Sequence, residues 1–394
     1  PTPKHFTVSR TREGIPMTNT TTTANIAVIG AGWWSQGWHL PALHHNPHAK
    51  IIAIVDTSSH PQSNLNPNLE SLETLKVKYN TQIFSSTLDM LQAIGPELDG
   101  VLIATPHATH YKVCQQVMTE LERRVQMDKD NHKPLHILME KPMSTDIHDA
   151  IQLYKLVQAH SGKSKFWVNH SANYREQTKL AREIVTSGRL GRIRHVTAFF
   201  ASPLKWIFED PACQGWNEPS DGMLGNGFAW GQSSHLFAFL YHICPQLEPV
   251  DVYAALTHSP KTGADISFAA TIRCLDGQEE GEEDGASGGF SNQLAVLSVS
   301  GTSLLPGNAH SDPPVAKKIQ VEVYGTEASL HYEGNDRDPS SGCLEIRNPD
   351  GGKQIIHDEF LFENLDNQGS GPESLQGFVK LCCGASTTDI YEGV

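Results

Sequence analysis

Asn25-Ile26-Ala27-Val28-Ile29-Gly30-Ala31-Gly32-Trp33-Trp34-Ser35 decides how the chain is read. Apolar residues run without a polar break into two glycines, the pattern of a strand buried on both faces that ends in a tight turn. Gly30 allows the turn, and Gly32 lets the backbone approach a pyrophosphate held at the N-terminus of the following helix. Ser35 stands where a third glycine is usual and is small enough for close helix–strand packing. A second apolar run, Ile51 to Val55, ends in Asp56, 24 residues beyond Gly32. That is near the ~20 expected of an acid that binds a ribose hydroxyl. Strand, turn, helix, strand and acid in this order predict a dinucleotide site. Asp56 would repel a 2′-phosphate, and Thr57-Ser58-Ser59-His60 has no Lys or Arg to hold one, so NAD is favoured over NADP.

Working outward, Val101–Ala104, Leu135–Met139 and Phe166–Val168 are further short apolar runs. Between them Val113, Cys114, Val117, Met118 and Leu121 share one helical face, as do Ile147, Ala150, Ile151, Tyr154 and Val157. Ser144 or Thr145 is the expected cap of the second helix, with Asp146 and Asp149 in its first turn. The alternation predicts an α/β Rossmann domain, doubly wound on a mainly parallel sheet, over residues 25–170. Beyond it Arg175–Ser187 reads as a helix stopped by Gly188. Strands follow without helices between them, at Ile193–Ala201, Val250–Leu256, Ile266–Cys274, Gln293–Val299 and Ile319–Tyr324. They predict an α+β C-terminal domain with a largely antiparallel sheet over residues 171–394. Residues 1–24, rich in Thr and Pro, read as a disordered tail, with Met17 as a candidate start.

Composition narrows the function. The chain has 394 residues, enough for two or three domains, and 30 Lys plus Arg against 44 Asp plus Glu, a net charge of −14. That balance argues against a protein built to grip nucleic-acid phosphates. Six of the acids lie between Asp276 and Asp284, in a glycine-rich stretch read as a solvated loop through Gly289. The longest apolar run, Leu236–Cys244, is interrupted by His242 and falls well short of the ~20 residues of a membrane span. Seven scattered cysteines without a Cys-x-x-Cys pair argue against disulfides or zinc, and suit a reducing, cytoplasmic setting. His39, His44, His45 and His48 are close in sequence but form no ordered ligand set, so no metal is expected. Trp33, Trp34, Trp206, Trp216 and Trp230 suit either sugar stacking or core packing.

Glu140-Lys141-Pro142 follows a strand, which puts Lys141 at the crevice where ligands sit in a doubly wound sheet. A lysine there can hydrogen-bond a substrate oxygen and shuttle its proton. Together with Thr105-Pro106-His107-Ala108-Thr109-His110, Asn173-Tyr174-Arg175, Ser187-Gly188-Arg189-Leu190-Gly191-Arg192-Ile193 and Tyr324-Gly325-Thr326-Glu327-Ala328-Ser329-Leu330, this tripeptide makes the chain resemble the Gfo/Idh/MocA sugar oxidoreductases. The resemblance implies an NAD site made by Gly30, Gly32, Trp33, Trp34, Ser35, Asp56, Thr105, Pro106, His110, Glu140 and Lys141. It implies a sugar or polyol substrate bound by Lys141, Tyr174, Arg175, Gln232 and His235, with Lys141 and His235 in proton transfer. It also implies a homodimer or homotetramer formed through the open sheet face. Two departures stand out. Relatives carry Asp-x-x-x-His after a glycine-rich loop, whereas here Gly231 precedes Gln232-Ser233-Ser234-His235. The chain also ends at Tyr391-Glu392-Gly393-Val394, where relatives continue through one more helix. The expected activity is hydride transfer between nicotinamide and a secondary alcohol or its ketone. The alternatives are a redox-cycling glycosidase and a non-catalytic sensor of a dinucleotide or sugar, with Asn226 and Gln232 as candidate orienters of His235.

Overall fold

The computed structural model describes residues 23–160, 162, 164–217, 226–277, 294–307, 315–362 and 371–386. Residues 1–22 of the expected N-terminal tail, nearly all of the acidic loop and Tyr391–Val394 lie outside these residues, while Ala24, placed in that tail, is the buried first residue of a strand. Strands β1 (Ala24–Ile29), β2 (Ala49–Val55), β3 (Gln82–Phe84), β4 (Gly100–Ile103), β5 (His136–Met139) and β6 (Phe166–Val168) form a parallel sheet in the order β3-β2-β1-β4-β5-β6. Each strand feeds both faces. In β1, Ile26 and Val28 point into a core under α1 (Leu40–His45) and α2 (Leu72–Tyr79), while Ala27 and Ile29 point into one under α3 (Thr87–Ile94), α4 (His110–Met127) and α5 (Ile147–Ala159). The strand order reverses between β1 and β4, and a crevice opens beyond their carboxyl ends.

The expected face of α5 is corrected. Ala150 and Leu153 are buried, whereas Ile147, Ile151 and Tyr154 are 54%, 43% and 60% exposed. The sheet takes the stripe Ala150-Leu153-Val157, one step round from the apolar stripe that includes Tyr154. Its cap is Asp146, whose carboxylate accepts the N–H groups of His148 and Asp149. Ser144 acts one step earlier, accepting the Asp146 N–H at 3.1 Å.

The second domain begins with α6 (Glu176–Thr186) and β7 (Ile193–Ala201), then the short helices α7 (Lys205–Glu209), α8 (Gln214–Asn217), α9 (Phe228–Gly231) and the longer α10 (Ser234–Ile243). Strands β8 (Leu247–His258), β9 (Asp265–Asp276), β10 (Leu294–Thr302), β11 (Lys318–Gly325), β12 (Ser329–Asn335), β13 (Cys343–Arg347) and β14 (Lys353–Asp358) join β7 in the order β14-β13-β12-β11-β7-β10-β9-β8. Every described pairing is antiparallel except β7 with β10. Phe200, Phe228, Phe239 and Phe362 fill the core between this sheet and the helices on one of its faces. The last helix, α11 (Glu373–Cys382), returns to the first sheet. Its Leu375, Phe378 and Val379 pack with Ile26, Val28, Leu102 and Leu138. A Cβ on Gly100 of β4 would lie 2.6 Å from the Phe378 ring, so glycine there sets how closely α11 approaches.

Candidate active site

The glycine turn after β1 is built against the turn after β4. Gly30 has φ +98°, and a Cβ on it would lie 2.4 Å from the Ala104 carbonyl oxygen and 2.8 Å from the Thr105 nitrogen. Only glycine fits. A Cβ on Gly32 would meet no atom within 4 Å, leaving the open space that a pyrophosphate needs above the loop. Ser35 is fully buried and donates to the Gly30 carbonyl at 2.5 Å, closing the turn. The helix then opens as a π-turn over Ser35–His39. Pro41, just beyond, has no N–H for the Gly37 carbonyl, which relaxes the ladder there. At the loop's edge Asp56 accepts the Ala31 N–H at 2.8 Å and the Ser58 N–H at 2.9 Å. These residues fit a bound dinucleotide, with Gly30, Gly32, Trp33 and Asp56 on one side and Thr105 and Pro106 across from them.

Two residues expected at the cofactor, Glu140 and His110, are held by partners within the protein. The Glu140 Oε1 accepts from Trp34 Nε1 (3.1 Å), His39 Nε2 (2.8 Å) and Asn169 Nδ2 (2.7 Å), and Oε2 accepts the Lys141 N–H (3.2 Å). Burial alone would push this carboxyl up, but hydrogen bonds from His39 and Asn169 and the charges of His39 and Lys141 overcome it and hold it at about 2. Glu140 therefore ties the glycine-loop helix, the Lys141 turn and the end of β6 together. His110 is wholly buried, with Nδ1 2.8 Å from the Pro142 carbonyl and Nε2 3.0 Å from the Thr105 carbonyl. Carbonyls only accept, so a neutral ring bonds one of them at a time. Burial lowers its pKa and favours that neutral ring.

Lys141 stands where the two domains meet. Its Nζ donates to the Gly231 carbonyl at 3.1 Å and lies 4.9 Å from the centre of the Trp216 ring. A Cβ on Gly231 would lie 3.6 Å from that ring. A backbone carbonyl thus receives Lys141 at the position where relatives place an aspartate. His235, at the start of α10, is 5% exposed, and its pKa is pushed well below the ordinary value by burial first, then by Lys141, Lys317 and His170. The side-chain oxygens of Asn226 and Gln232 are buried without hydrogen-bond partners, so neither holds a ring N–H of His235. Buried Asp265 accepts the Ala229 N–H and crowds Gly227, where a Cβ would lie 2.2 Å from its carbonyl oxygen, fixing the loop into α9.

The chain matches the oxidoreductase family with an NAD-binding Rossmann fold, GFO_IDH_MocA, over residues 24–170, and the GFO/IDH/MocA C-terminal domain over residues 178–331. It belongs to the Gfo/Idh/MocA family. An oxidoreductase of Synechocystis sp. is 25% identical over 55% of this chain and 50% of that protein. D-xylose 1-dehydrogenase (NADP(+)) of Haloarcula marismortui is 22% identical over 55% of this chain and 53% of its own length. The chain thus spans about half the length of these curated relatives. The crystal structure of myo-inositol 2-dehydrogenase from Lactobacillus plantarum shares the fold, with TM-score 0.60 at 16% identity over 94% of this chain and 93% of that one.

Within this Gfo/Idh/MocA frame the expected residues divide. Gly30, Gly32, Trp33, Trp34, Ser35, Asp56, Thr105 and Pro106 gather at the switch point, and Lys141, Gln232 and His235 meet at the domain junction. Tyr174 is buried in the turn after β6. Arg175 reaches the Leu361 carbonyl at 3.5 Å and Glu373 at 3.5 Å, so it joins α11 to the second domain rather than contacting Lys141 or His235. Trp230 donates its indole N–H to the Ser144 carbonyl, an interdomain bond. Trp216, expected either to stack on a sugar or to pack in the core, lies against Lys141 and His107, and His39 and Asn169 join the site without having been expected there. Their signal is position alone, since each meets Glu140 or Lys141 only after the fold closes.

Proposed function

We propose that this family member is an NAD-dependent dehydrogenase acting on a secondary alcohol of a sugar or polyol. One observation carries the reading: the Lys141 ammonium is fixed at the domain junction, beside the glycine turn and within the electrostatic reach of His235. The names of the xylose and inositol dehydrogenases support the substrate class. Bound NAD supplies the hydride acceptor. The chain's own task is to hold the carbinol oxygen, which the Lys141 ammonium does by donating to it, and to receive its proton. A neutral imidazole at this junction, His235 or the His170 ring packed against it, can accept that proton. Asp56 at the loop edge supports NAD over NADP, since a carboxylate there repels a 2′-phosphate.

The test is a panel of sugars, polyols and glycosides incubated with NAD and the protein. NADH should accumulate with at least one sugar or polyol, and Lys141→Met should abolish turnover while leaving NAD binding intact. Cleavage of a glycoside without net NADH would mark a redox-cycling glycosidase, and ligand binding without turnover a sensor. Calorimetry should show NAD binding more tightly than NADP, with Asp56→Ala narrowing the gap; tighter NADP binding by the parent would sink the cofactor assignment. We also propose that the chain self-associates through the second sheet. β8 ends that sheet with Val250, Val252 and Tyr253 at 54%, 63% and 78% exposure, an open edge that a second copy would cover. Light scattering should give a dimer or tetramer mass.

A further inference from the structure

We infer that His170 touches the substrate and takes up the proton of the reacting hydroxyl, with His235 packed behind it. The inference rests on the dehydrogenase reading. β6 lies beside β5 in the first sheet, so the residue after β6 emerges at the crevice next to the turn that carries Lys141. The His170 backbone is fixed on both sides. Its N–H donates to the Val168 carbonyl at 2.8 Å, and its carbonyl accepts the Asn173 N–H at 3.0 Å. The preceding residue, Asn169, is bonded to Glu140. The imidazole is thus mounted on a rigid strand end rather than on a free loop.

The ring itself is not claimed by the protein. Its Nδ1 is buried without a partner, and no hydrogen bond from a described residue reaches either ring nitrogen. Among the described residues its ring packs edge-to-face on His235, at 5.9 Å between centroids and 83°. With Nδ1 enclosed, Nε2 is the ring nitrogen left to a ligand hydroxyl. Of the two imidazoles, His235 is the more enclosed, at 5% exposure, while His170 is only half-buried. The accessible base of the pair is therefore His170. The charged and titratable groups around it are Lys141 and Glu140 from the turn after β5 and His235 from α10. Burial and Lys141 lower its pKa to about 4 against the opposing pull of Glu140, so the ring is neutral at pH 7 and its lone pair is free.

The step balances as follows. The carbinol C–H bond breaks with its electron pair, which leaves as hydride to the nicotinamide of NAD. The O–H bond breaks as the C=O bond forms, and its proton passes to the His170 imidazole, which later returns it to water. Lys141 stays protonated and donates to the oxygen throughout.

Two measurements on the full chain decide the matter. Diethyl pyrocarbonate, which acylates accessible neutral imidazoles, should modify His170 faster than His235 when peptides are mapped by mass. With whichever polyol the parent oxidises, His170→Ala should lower kcat at least ~100-fold with KM little changed, and added imidazole should restore part of the loss. His170→Asn should match His170→Ala in turnover and keep the parent's melting temperature and NAD affinity. Faster labelling of His235, or parental turnover by His170→Ala, would overturn the assignment. If the parent oxidises nothing in the panel, the dehydrogenase reading fails, while the labelling order still decides which imidazole faces the crevice.

Discussion

Glu140 does more for the site than any group that could touch a ligand. Three side chains from two separate elements donate to one of its oxygens, and the other receives the amide of Lys141. A single carboxylate therefore sets where the ammonium stands relative to the glycine turn. Glu140→Gln keeps the volume but removes the charge and turns an N–H₂ toward existing donors. Leaving a buried donor unpaired costs about 1–3 kcal/mol, and more where the lost partner was charged. The expected result is a clear drop in urea stability and a fall in kcat through displaced Lys141. The pH dependence gives the sign. A carboxyl held at about 2 when folded, against an ordinary ~4.3 unfolded, contributes stability above pH ~4 that is lost as pH falls toward 2. The Gln variant should lack that acid-side loss; an unchanged profile would show that the charge is not what holds the network.

Elements were legible where the pattern was local. Ile26–Ile29, Ile51–Val55 and Leu135–Met139 are apolar because both faces of a parallel strand are buried, and the structure places strands there. Edge elements gave weaker signals. β3 has only three residues, and β12, β13 and β14 alternate core residues such as Leu330, Tyr332, Leu344 and Ile346 with polar ones, in runs broken by Gly and Asp. The α5 face was misjudged because its apolar residues exceed what the sheet can cover, leaving Ile151 and Tyr154 outside. At the site, Lys141 and His235 were legible from motifs, but the Glu140 network was not, because hydrogen bonds between His39, Glu140 and Asn169 have no sequence period. The same limit applies to α11, whose amphipathic pattern does not say which sheet it covers. Phe378 is fully buried against β4 of the first domain, more than 200 residues away in sequence. Phe378→Ala should cost about 3–5 kcal/mol, and deletion of α11 should expose the β1–β4 face. Hydrogen exchange reports where: faster exchange in β1 and β4, with β7 and β11 unchanged, is the expected pattern.

At the scale of the whole molecule, the two domains close on each other through few but specific contacts. Lys141 reaches Gly231, Trp230 reaches Ser144, Asn64 donates to the Ala212 carbonyl at 2.7 Å, and His107 packs edge-on against Trp216 at 4.6 Å. Several buried groups are imidazoles, at this junction (His107, His170, His235) and away from it (His136, His242), and the fold keeps them neutral. Burial is the main cause for His136, His170 and His242, each lowered to about 4, and for His107 and His235, lowered well below the ordinary value. At His136 the Lys165 N–H points at Nδ1, a bond that only an unprotonated nitrogen can accept. Unfolded, the same rings titrate near ~6.5. The unfolded chain therefore binds more protons than the folded one between pH ~6.5 and 4, and folding stability falls as pH drops through that window. Each ring contributes at most ~1.4 kcal/mol per pH unit, so several acting together are enough to unfold a domain of ordinary stability within about two pH units. Urea melts at pH 7.5, 6.0 and 5.0 should show little change above pH 6.5 and a steep loss below it. His136→Asn and His242→Asn should each flatten the slope in proportion to one proton. Stability that stays level from pH 7.5 to 5.0 would mean that these rings are protonated in the folded protein.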